Sequence, residues 1–200
     1  IYNYWTIRIN QYVVEADTGM KAYDSLQYFK QMWLIVYTVA YFALFTWIDT
    51  RYIRKEKILF NNLVFNLVIG VIMLTQGLYL LSELRGLYLS YTPNIMYVII
   101  RYIALLAFAL LLWQTYKLLD AEAINFKNNK VRDLVLYGVV LWVVSSEWLH
   151  WTELLGATAN YKLGLSILWV SYGVFMLVKG IHQSKSYMRI ASISVILFTL

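Results

Sequence analysis

Residues 95–116, "IMYVIIRYIALLAFALLLWQTY", form a stretch whose only charged residue is Arg101. A bilayer core about 30 Å thick needs roughly 20 apolar residues of helix to cross it, so this stretch predicts a transmembrane helix. Similar windows lie near 31–48, 62–81, 133–150 and 163–179, and a sixth begins near 188 and is cut off at Leu200. The predicted fold is all-α: a polytopic transmembrane helix bundle with five full spans plus a truncated sixth.

Composition supports a membrane protein and excludes several other classes. Of the 200 residues, 61% are apolar and 14% are charged, which is far from an ordinary soluble domain. The net charge of +6 lies in short loops rather than on a soluble basic face, so we expect no nucleic-acid partner. The chain has no cysteine, which excludes disulfides and thiolate metal sites. We expect neither a cofactor nor a bound metal.

Basic residues alternate between loops in a way that orients the bundle. The loops after the first, third and fifth spans hold Arg51, Arg54, Lys55, Lys57, Lys117, Lys127, Lys130, Arg132, Lys179, Lys185 and Arg189. The N-terminal segment and the other two loops hold only Arg8, Lys21, Lys30, Arg85 and Lys162. The positive-inside rule assigns the basic loops to the cytoplasm and the N-terminal segment to the outside. We expect a multi-pass protein of the bacterial inner (cytoplasmic) membrane.

The chain is predicted to hold an interfacial segment and one membrane domain. Residues 1–30 contain aromatic residues such as Trp5 and Tyr12, which favour the headgroup boundary, so this segment is predicted to be external and interfacial. Residues 31–200 are predicted to form the transmembrane domain. Because the chain starts at Ile1 without a signal-peptide pattern, we expect a fragment of a longer protein. Its expected partners are membrane lipids and other transmembrane helices, of the same longer chain or of a complex.

The second span carries a stripe of polar or small residues. Asn62, Asn66, Met73, Gln76 and Glu83 fall within roughly a 100° arc if the span is α-helical throughout. Amides inside a span hydrogen-bond neighbouring helices, so the stripe predicts the inward face. Both helix packing and a solute pathway explain such a stripe.

Arg101 is the only charged residue clearly within a span, about 10 Å below its external end. A buried arginine is costly unless it snorkels, meets water or pairs with an anion. The expected topology puts Glu83, Glu147 and Glu153 on the same external side. A structural ion pair and an anion site both remain open, since guanidinium binds carboxylate and phosphate groups well.

The fourth span ends in "SSEWLHWTE", where Glu147 and His150 lie three residues apart on one helical face. The pair suits proton exchange, and a metal centre would need further Glu and His ligands from other helices. The other histidine, His182, is predicted on the cytoplasmic side. Glu147 and His150 are the candidate catalytic residues.

The last quarter of the chain shows a family resemblance. From Ser146 onward it contains "SEWLHW", "KLGLSILWVSYGVFMLVKGI" and "MRIASISVILFTL". It resembles the C-terminal part of the bacterial multi-pass membrane proteins grouped as domain of unknown function 2339, in which an "LSxxW…Y" helix precedes a glycine, basic residues and another apolar helix. The matching residues are Leu165, Ser166, Trp169, Tyr172, Gly180 and Arg189. The resemblance implies further spans before Ile1 and a short tail after Leu200, and it supplies no activity.

Together these features predict a transport or cell-envelope role with an external polar pocket. Arg101, Glu83 and Gln76 are the candidate substrate-binding residues, with Arg101 binding an anionic group and Glu147 and His150 tuning charge or exchanging protons. Two alternatives stay open. One is a membrane-embedded envelope enzyme that acts on a lipid-linked substrate, and the other is a structural subunit of a membrane complex.

Overall fold

A computed structural model describes residues 19–53, 55–90, 95–120, 129–156 and 161–199. Within these ranges the chain is helical apart from short turns and contains no strand, which confirms the predicted all-α fold. The predicted interfacial residues Trp5 and Tyr12 lie outside the described residues. The first helix begins at Gly19 and continues into the first span, and the predicted boundary near residue 30 stays a prediction.

Five helical segments are long and apolar enough to cross a membrane, as predicted. They are Leu26–Ile53, Lys57–Leu89, Met96–Leu119, Lys130–Leu154 and Tyr161–His182, and a shorter apolar helix covers Ser186–Thr199. These segments identify a multi-pass membrane protein. The chain divides into two compact units, residues 1–125 and 126–200. The predicted membrane domain over 31–200 stays a prediction.

The first unit consists of three spans. In chain order they are α1 (Gly19–Ile48) with a π-helical turn at Asp49–Ile53, α2 (Glu56–Ile72) joined by a second π-helical turn at Met73–Gly77 to α3 (Leu78–Ser90), and α4 (Met96–Asp120). The main contact runs between α1 and α4, and α2 and α3 pack against both. Apolar side chains such as Val39, Leu84 and Leu111 fill the interior.

The second unit consists of α5 (Asn129–Leu154), α6 (Tyr161–His182) and α7 (Ser186–Thr199). A tight turn joins α6 to α7, in which Ser184 adopts a left-handed conformation with φ of 55°. Glycines allow these two helices to approach closely, because an added Cβ at Gly173 would lie 2.7 Å from Ile196 Cγ1 and one at Gly180 would lie 3.0 Å from the Met188 side chain.

Aromatic side chains of α6 donate hydrogen bonds to α5. The Trp169 indole Nε1 donates to Ser145 Oγ at 2.9 Å, and the Tyr172 hydroxyl donates to the Tyr137 carbonyl at 2.8 Å. Two residues of the family-like pattern, Trp169 and Tyr172, therefore have structural roles within this unit.

Candidate functional site

Four polar side chains are fully buried where the first span packs against the second. Thr46 and Asp49 are each 0% exposed, and Asn62 and Asn66 are 1% and 2% exposed. Residues three or four positions apart share a helical face, so Thr46 and Asp49 face α2 while Asn62 and Asn66 face α1. We call these four residues the Asp49 cluster.

A chain of hydrogen bonds connects the cluster. Asn66 Nδ2 donates to Thr46 Oγ1 at 2.8 Å, and Asn62 Nδ2 donates to Asp49 Oδ2 at 3.0 Å. Thr46 Oγ1 lies 2.7 Å from the Phe42 carbonyl and 3.1 Å from Asn62 Oδ1, and its single proton serves these two acceptors. Along this series of hydrogen bonds, Asn66, Thr46 and Asn62 each donate toward the Asp49 carboxylate.

This direction determines which atoms lie at the two ends of the series of hydrogen bonds. The Thr46 proton is already committed, so only an N–H of Asn66 can bond to Thr46 Oγ1, and the Asn66 oxygen must point elsewhere. Asn66 Oδ1 and Asp49 Oδ1 are both buried and have no hydrogen-bond partner among the described residues. Both ends of this series of hydrogen bonds are thus acceptors without a donor in the described part of the protein.

The Asp49 carboxylate is in an unfavourable position for a bare charge. Among the described residues its polar contact is the neutral Asn62 amide, and it forms no ion pair there. An isolated carboxylate in a medium of low dielectric constant is costly, and buried charges are normally paired or bound to a metal. The site therefore favours a ligand that brings positive charge.

Asp49 is also the first residue of a π-helical turn, Asp49–Ile53. Such turns widen a helix by one residue and are frequent at functional sites, because they redirect side chains and loosen the backbone hydrogen bonding. Here the turn lies at the end of the first span, beside the cluster.

The second π-helical turn changes the predicted stripe of the second span. Asn62, Asn66 and Met73 are buried as expected, but Gln76 is exposed and the following Gly77 is buried. The extra residue in the turn Met73–Gly77 rotates the later positions around the helix. Gln76 therefore does not join the inward face that an uninterrupted α-helix predicts.

Arg101 and Glu83, the other predicted substrate-binding residues, both belong to the first unit. Arg101 is 1% exposed on α4 and is engaged in interactions with other residues. Glu83 is half-buried on α3. The anion-binding role of Arg101 stays a prediction.

The candidate catalytic residues Glu147 and His150 lie on α5 of the second unit. His150 is 1% exposed, and its ring packs edge-on against Trp151 with centroids 5.9 Å apart. Glu147 is half-buried, and both residues have interaction partners. In the part of the chain that the structure describes, no group of three or more His, Cys, Asp or Glu residues is arranged to hold a metal ion. The predicted pocket that combines Glu147 and His150 with Arg101 stays a prediction.

The second unit holds another buried carboxylate, Asp133, which is 5% exposed. Lys185 Nζ donates to Asp133 Oδ2 at 2.8 Å, and the Tyr187 hydroxyl donates to the same oxygen at 2.6 Å. Arg132 Nε lies 3.8 Å from Oδ1. The hydrogen bond to Asp133 raises the pKa of Lys185 above its ordinary value. The negative charge of Asp133 is therefore balanced by Lys185 within the same unit.

The sequence did not point to Asp49 or Thr46. The predicted first span ends near residue 48, and the basic run "TRYIRKEK" after Asp49 indicates a loop. In the structure Asp49 is the last buried polar position described in the first span. A signal was present: Val39, Ala43, Thr46 and Asp49 follow helical spacing, and all four are buried.

Comparisons with protein-family models, with curated proteins and with solved structures found no match to this chain.

Proposed function

We propose that the protein is a membrane transport protein and that the Asp49 cluster binds a cation, either a proton or a metal ion, during transport. The Asp49 carboxylate carries this proposal. It is 0% exposed in a helix that is apolar enough to cross a membrane, and its Oδ1 has no hydrogen-bond partner among the described residues. Ionisable residues inside membrane spans are costly, and they mark ion pathways and proton relays.

We also propose that the protein resides in a bacterial inner membrane, with its N-terminal segment outside and its Lys/Arg-rich loops in the cytoplasm. The uneven distribution of basic residues among the loops supports this orientation. In this orientation Asp49 lies near the cytoplasmic end of the first span, and Arg101 lies nearer the external end of the third. The resemblance to the domain of unknown function 2339 is compatible with this location and adds no activity.

Arg101 and Glu83 extend the proposal toward the external side. Arg101 is buried on α4, the helix that makes the main contact with α1. A buried guanidinium provides a fixed positive charge and bidentate donors for an anionic group. We propose that a transported anion or an acidic side chain binds there, while the Asp49 cluster serves the cation.

Flux measurements on the full chain in liposomes test the transport proposal. The liposomes contain a pH-sensitive dye and receive radioactive Na⁺ outside, with the membrane potential clamped by K⁺ and valinomycin. We expect wild-type protein to move H⁺ or Na⁺ faster than protein-free liposomes do, and we expect Asp49→Asn to lower that flux at least tenfold.

Asn61→Leu is the matched control for this experiment. Asn61 lies beside Asn62 on α2 but is exposed, so its substitution should leave the flux within about twofold of wild type. Wild-type flux equal to that of empty liposomes, or an Asp49→Asn flux equal to wild type, would show that the proposal is wrong.

A structural subunit is the second candidate, because the hydrogen bonds of the cluster join two helices. The pairs Asn66–Thr46 and Asn62–Asp49 both cross from α2 to α1. Hydrogen bonds between membrane helices contribute about 0.6 to 2 kcal/mol each. This function predicts that Asp49→Asn changes no flux, and that the protein from native membranes copurifies with a fixed stoichiometry of other subunits.

A further inference from the structure

Two exposed tyrosines lie in the middle of the first span. Tyr37 and Tyr41 are 50% and 61% exposed, and both lie within three residues of the midpoint of the segment Leu26–Ile53. At 1.5 Å of rise per residue they are within about 5 Å of the middle of a membrane core whose half-thickness is about 15 Å. Tyrosine in a membrane protein usually lies at the headgroup boundary, where its hydroxyl meets water. Here the two hydroxyl groups face the hydrocarbon core instead.

Neither hydroxyl group takes part in a hydrogen bond among the described residues. The two rings, in contrast, have aromatic neighbours along α1: Tyr37 packs on Trp33 with centroids 5.6 Å apart, and Tyr41 stacks on Phe45 at 6.0 Å. A hydroxyl group without a hydrogen-bond partner is costly in an apolar medium, and lipid tails supply none. These two positions therefore fit a partner that brings hydrogen-bonding groups into the membrane core.

The exposed face of α4 in the same unit shows the usual pattern for contact with lipid. Around the middle of that span its exposed side chains are aliphatic, namely Ile103, Leu106 and Leu110. Such side chains have no polar atom to satisfy in hydrocarbon. The exposed hydroxyl groups of Tyr37 and Tyr41 therefore distinguish the outer face of α1 from that of α4.

We infer that the outer face of α1 binds a second copy of this protein. Its exposed residues Leu34, Tyr37, Tyr41, Leu44 and Ile48 follow the alternating spacing of three and four that lets two helices pack along their length. We call these five residues the tyrosine seam. Copies of one membrane protein share one orientation, so two seams run parallel, and each residue meets its counterpart at the same depth.

The chemistry of the phenol group favours a second copy over other occupants. A tyrosine hydroxyl both donates and accepts a hydrogen bond, so the tyrosines of two facing seams satisfy each other. A two-fold axis normal to the membrane places Tyr37 and Tyr41 of one copy at the depth of the same residues in the other copy. A different protein would need its own polar group at this depth, whereas a second copy supplies one by symmetry. Hydrogen bonds of this kind stabilise contacts between membrane helices.

Disulfide cross-linking of the full chain in liposomes tests the geometry, because the chain has no cysteine of its own. Leu44→Cys places one thiol on the tyrosine seam and leaves both tyrosines in place. Leu106→Cys is the matched control, because Leu106 is similarly exposed, at 64% against 62% for Leu44, but lies on α4. With copper phenanthroline as the oxidant, we expect at least about fivefold more covalent dimer from Leu44→Cys than from Leu106→Cys.

Removal of the hydroxyl groups tests the chemistry. In the Leu44→Cys background, Tyr37→Phe combined with Tyr41→Phe keeps the rings and removes both hydroxyl groups. Half-maximal cross-linking should then need about threefold or more protein per lipid, the factor that one modest hydrogen bond between membrane helices provides. Tyr52→Phe is the control. Tyr52 is exposed in the π-helical turn at the end of the same span, where its hydroxyl reaches the boundary, so this variant should cross-link as Leu44→Cys alone does.

Circular dichroism confirms that each variant is folded before cross-linking is compared. Equal dimer yields from Leu44→Cys and Leu106→Cys would indicate random collisions and overturn the inference. An unchanged protein-to-lipid ratio after loss of both hydroxyl groups would also overturn it, because the tyrosines would then contribute no contact. In native membranes, a product of Leu44→Cys with a protein of different mass, instead of the dimer, would reject a second copy as the occupant of the seam.

Discussion

The two buried carboxylates in the described part of the chain, Asp49 and Asp133, are stabilised in different ways. Asp133 in the second unit receives hydrogen bonds from the Lys185 ammonium and the Tyr187 hydroxyl on one oxygen, with the Arg132 guanidinium 3.8 Å from the other. Asp49 in the first unit receives one hydrogen bond, from the neutral Asn62 amide. Asp133 thus has its counter-charge within its own unit, whereas Asp49 has none among the described residues.

This difference distinguishes a structural carboxylate from a candidate binding group. A buried charge that its own chain neutralises needs no ligand, and its loss leaves the partner charge uncompensated. A buried charge without such a partner lowers stability until a ligand arrives. The two residues should therefore respond in opposite ways to the same substitution.

The largest expected difference comes from changing each aspartate to asparagine. Asp133→Asn should lower the free energy of unfolding by about 2 kcal/mol, less than for a fully buried ion pair because the Lys185 side chain is 38% exposed. Asp49→Asn should leave stability unchanged or raise it in a buffer without alkali cations. Denaturation of the full chain in detergent micelles measures both. An equal loss of unfolding free energy in the two variants would show that the two aspartates do not differ in this way.

A smaller effect tests whether the amides of the Asp49 cluster maintain its structure. Asn62→Leu removes the donor to Asp49 and an acceptor near Thr46, so we expect a loss of about 1.5 kcal/mol. Asn61→Leu, on the exposed side of the same helix, should change stability by less than about 0.5 kcal/mol. The same unfolding assay compares them, and similar losses for both would argue against a specific role of Asn62.

The second unit also depends on close helix contacts, which can be tested at a glycine. A Cβ at Gly164 would lie 2.8 Å from Trp148 Cε2 and 2.9 Å from its Nε1. Gly164→Ala should cost about 1 kcal/mol, because the partly exposed indole must shift. Gly138→Ala is the matched control, because open space surrounds that position, and it should be neutral or stabilising. Full stability of Gly164→Ala would show that Trp148 moves freely.

The sequence predicted the fold better than it predicted the site. Five spans follow from the length and apolar character of separate segments, and the structure confirms them. Asn62 and Asn66 were also predicted to face inward, since a local helical period determines their direction. Asp49 was missed because its burial depends on contact between two helices. Gln76 was predicted to face inward because a π-helical turn leaves no mark in an α-helical period.

The smallest expected effect is the pH dependence of the interaction between Lys185 and Asp133. The hydrogen bond to Asp133 raises the pKa of Lys185 above its ordinary value of 10.5, so the ammonium form is favoured in the folded protein. Its stabilising contribution is complete below pH 10.5 and is lost as the pH rises through the raised pKa. The melting temperatures of wild type and Lys185→Met should therefore differ by a constant amount up to about pH 10 and converge above it.

This difference between the two proteins cancels the titration of the tyrosines that lie away from Lys185, which both proteins share. Tyr187 is the exception, because Lys185 lowers its pKa in the wild type. Thermal unfolding in micelles between pH 7 and pH 12 provides the measurement. Because Lys185 is partly accessible to solvent, the change should be small beside that of Asp133→Asn. A constant difference up to pH 12 would mean that the ammonium charge contributes nothing. Tyr187 would then be the partner that keeps Asp133 buried, and the two aspartates would differ by a hydroxyl rather than by a counter-charge.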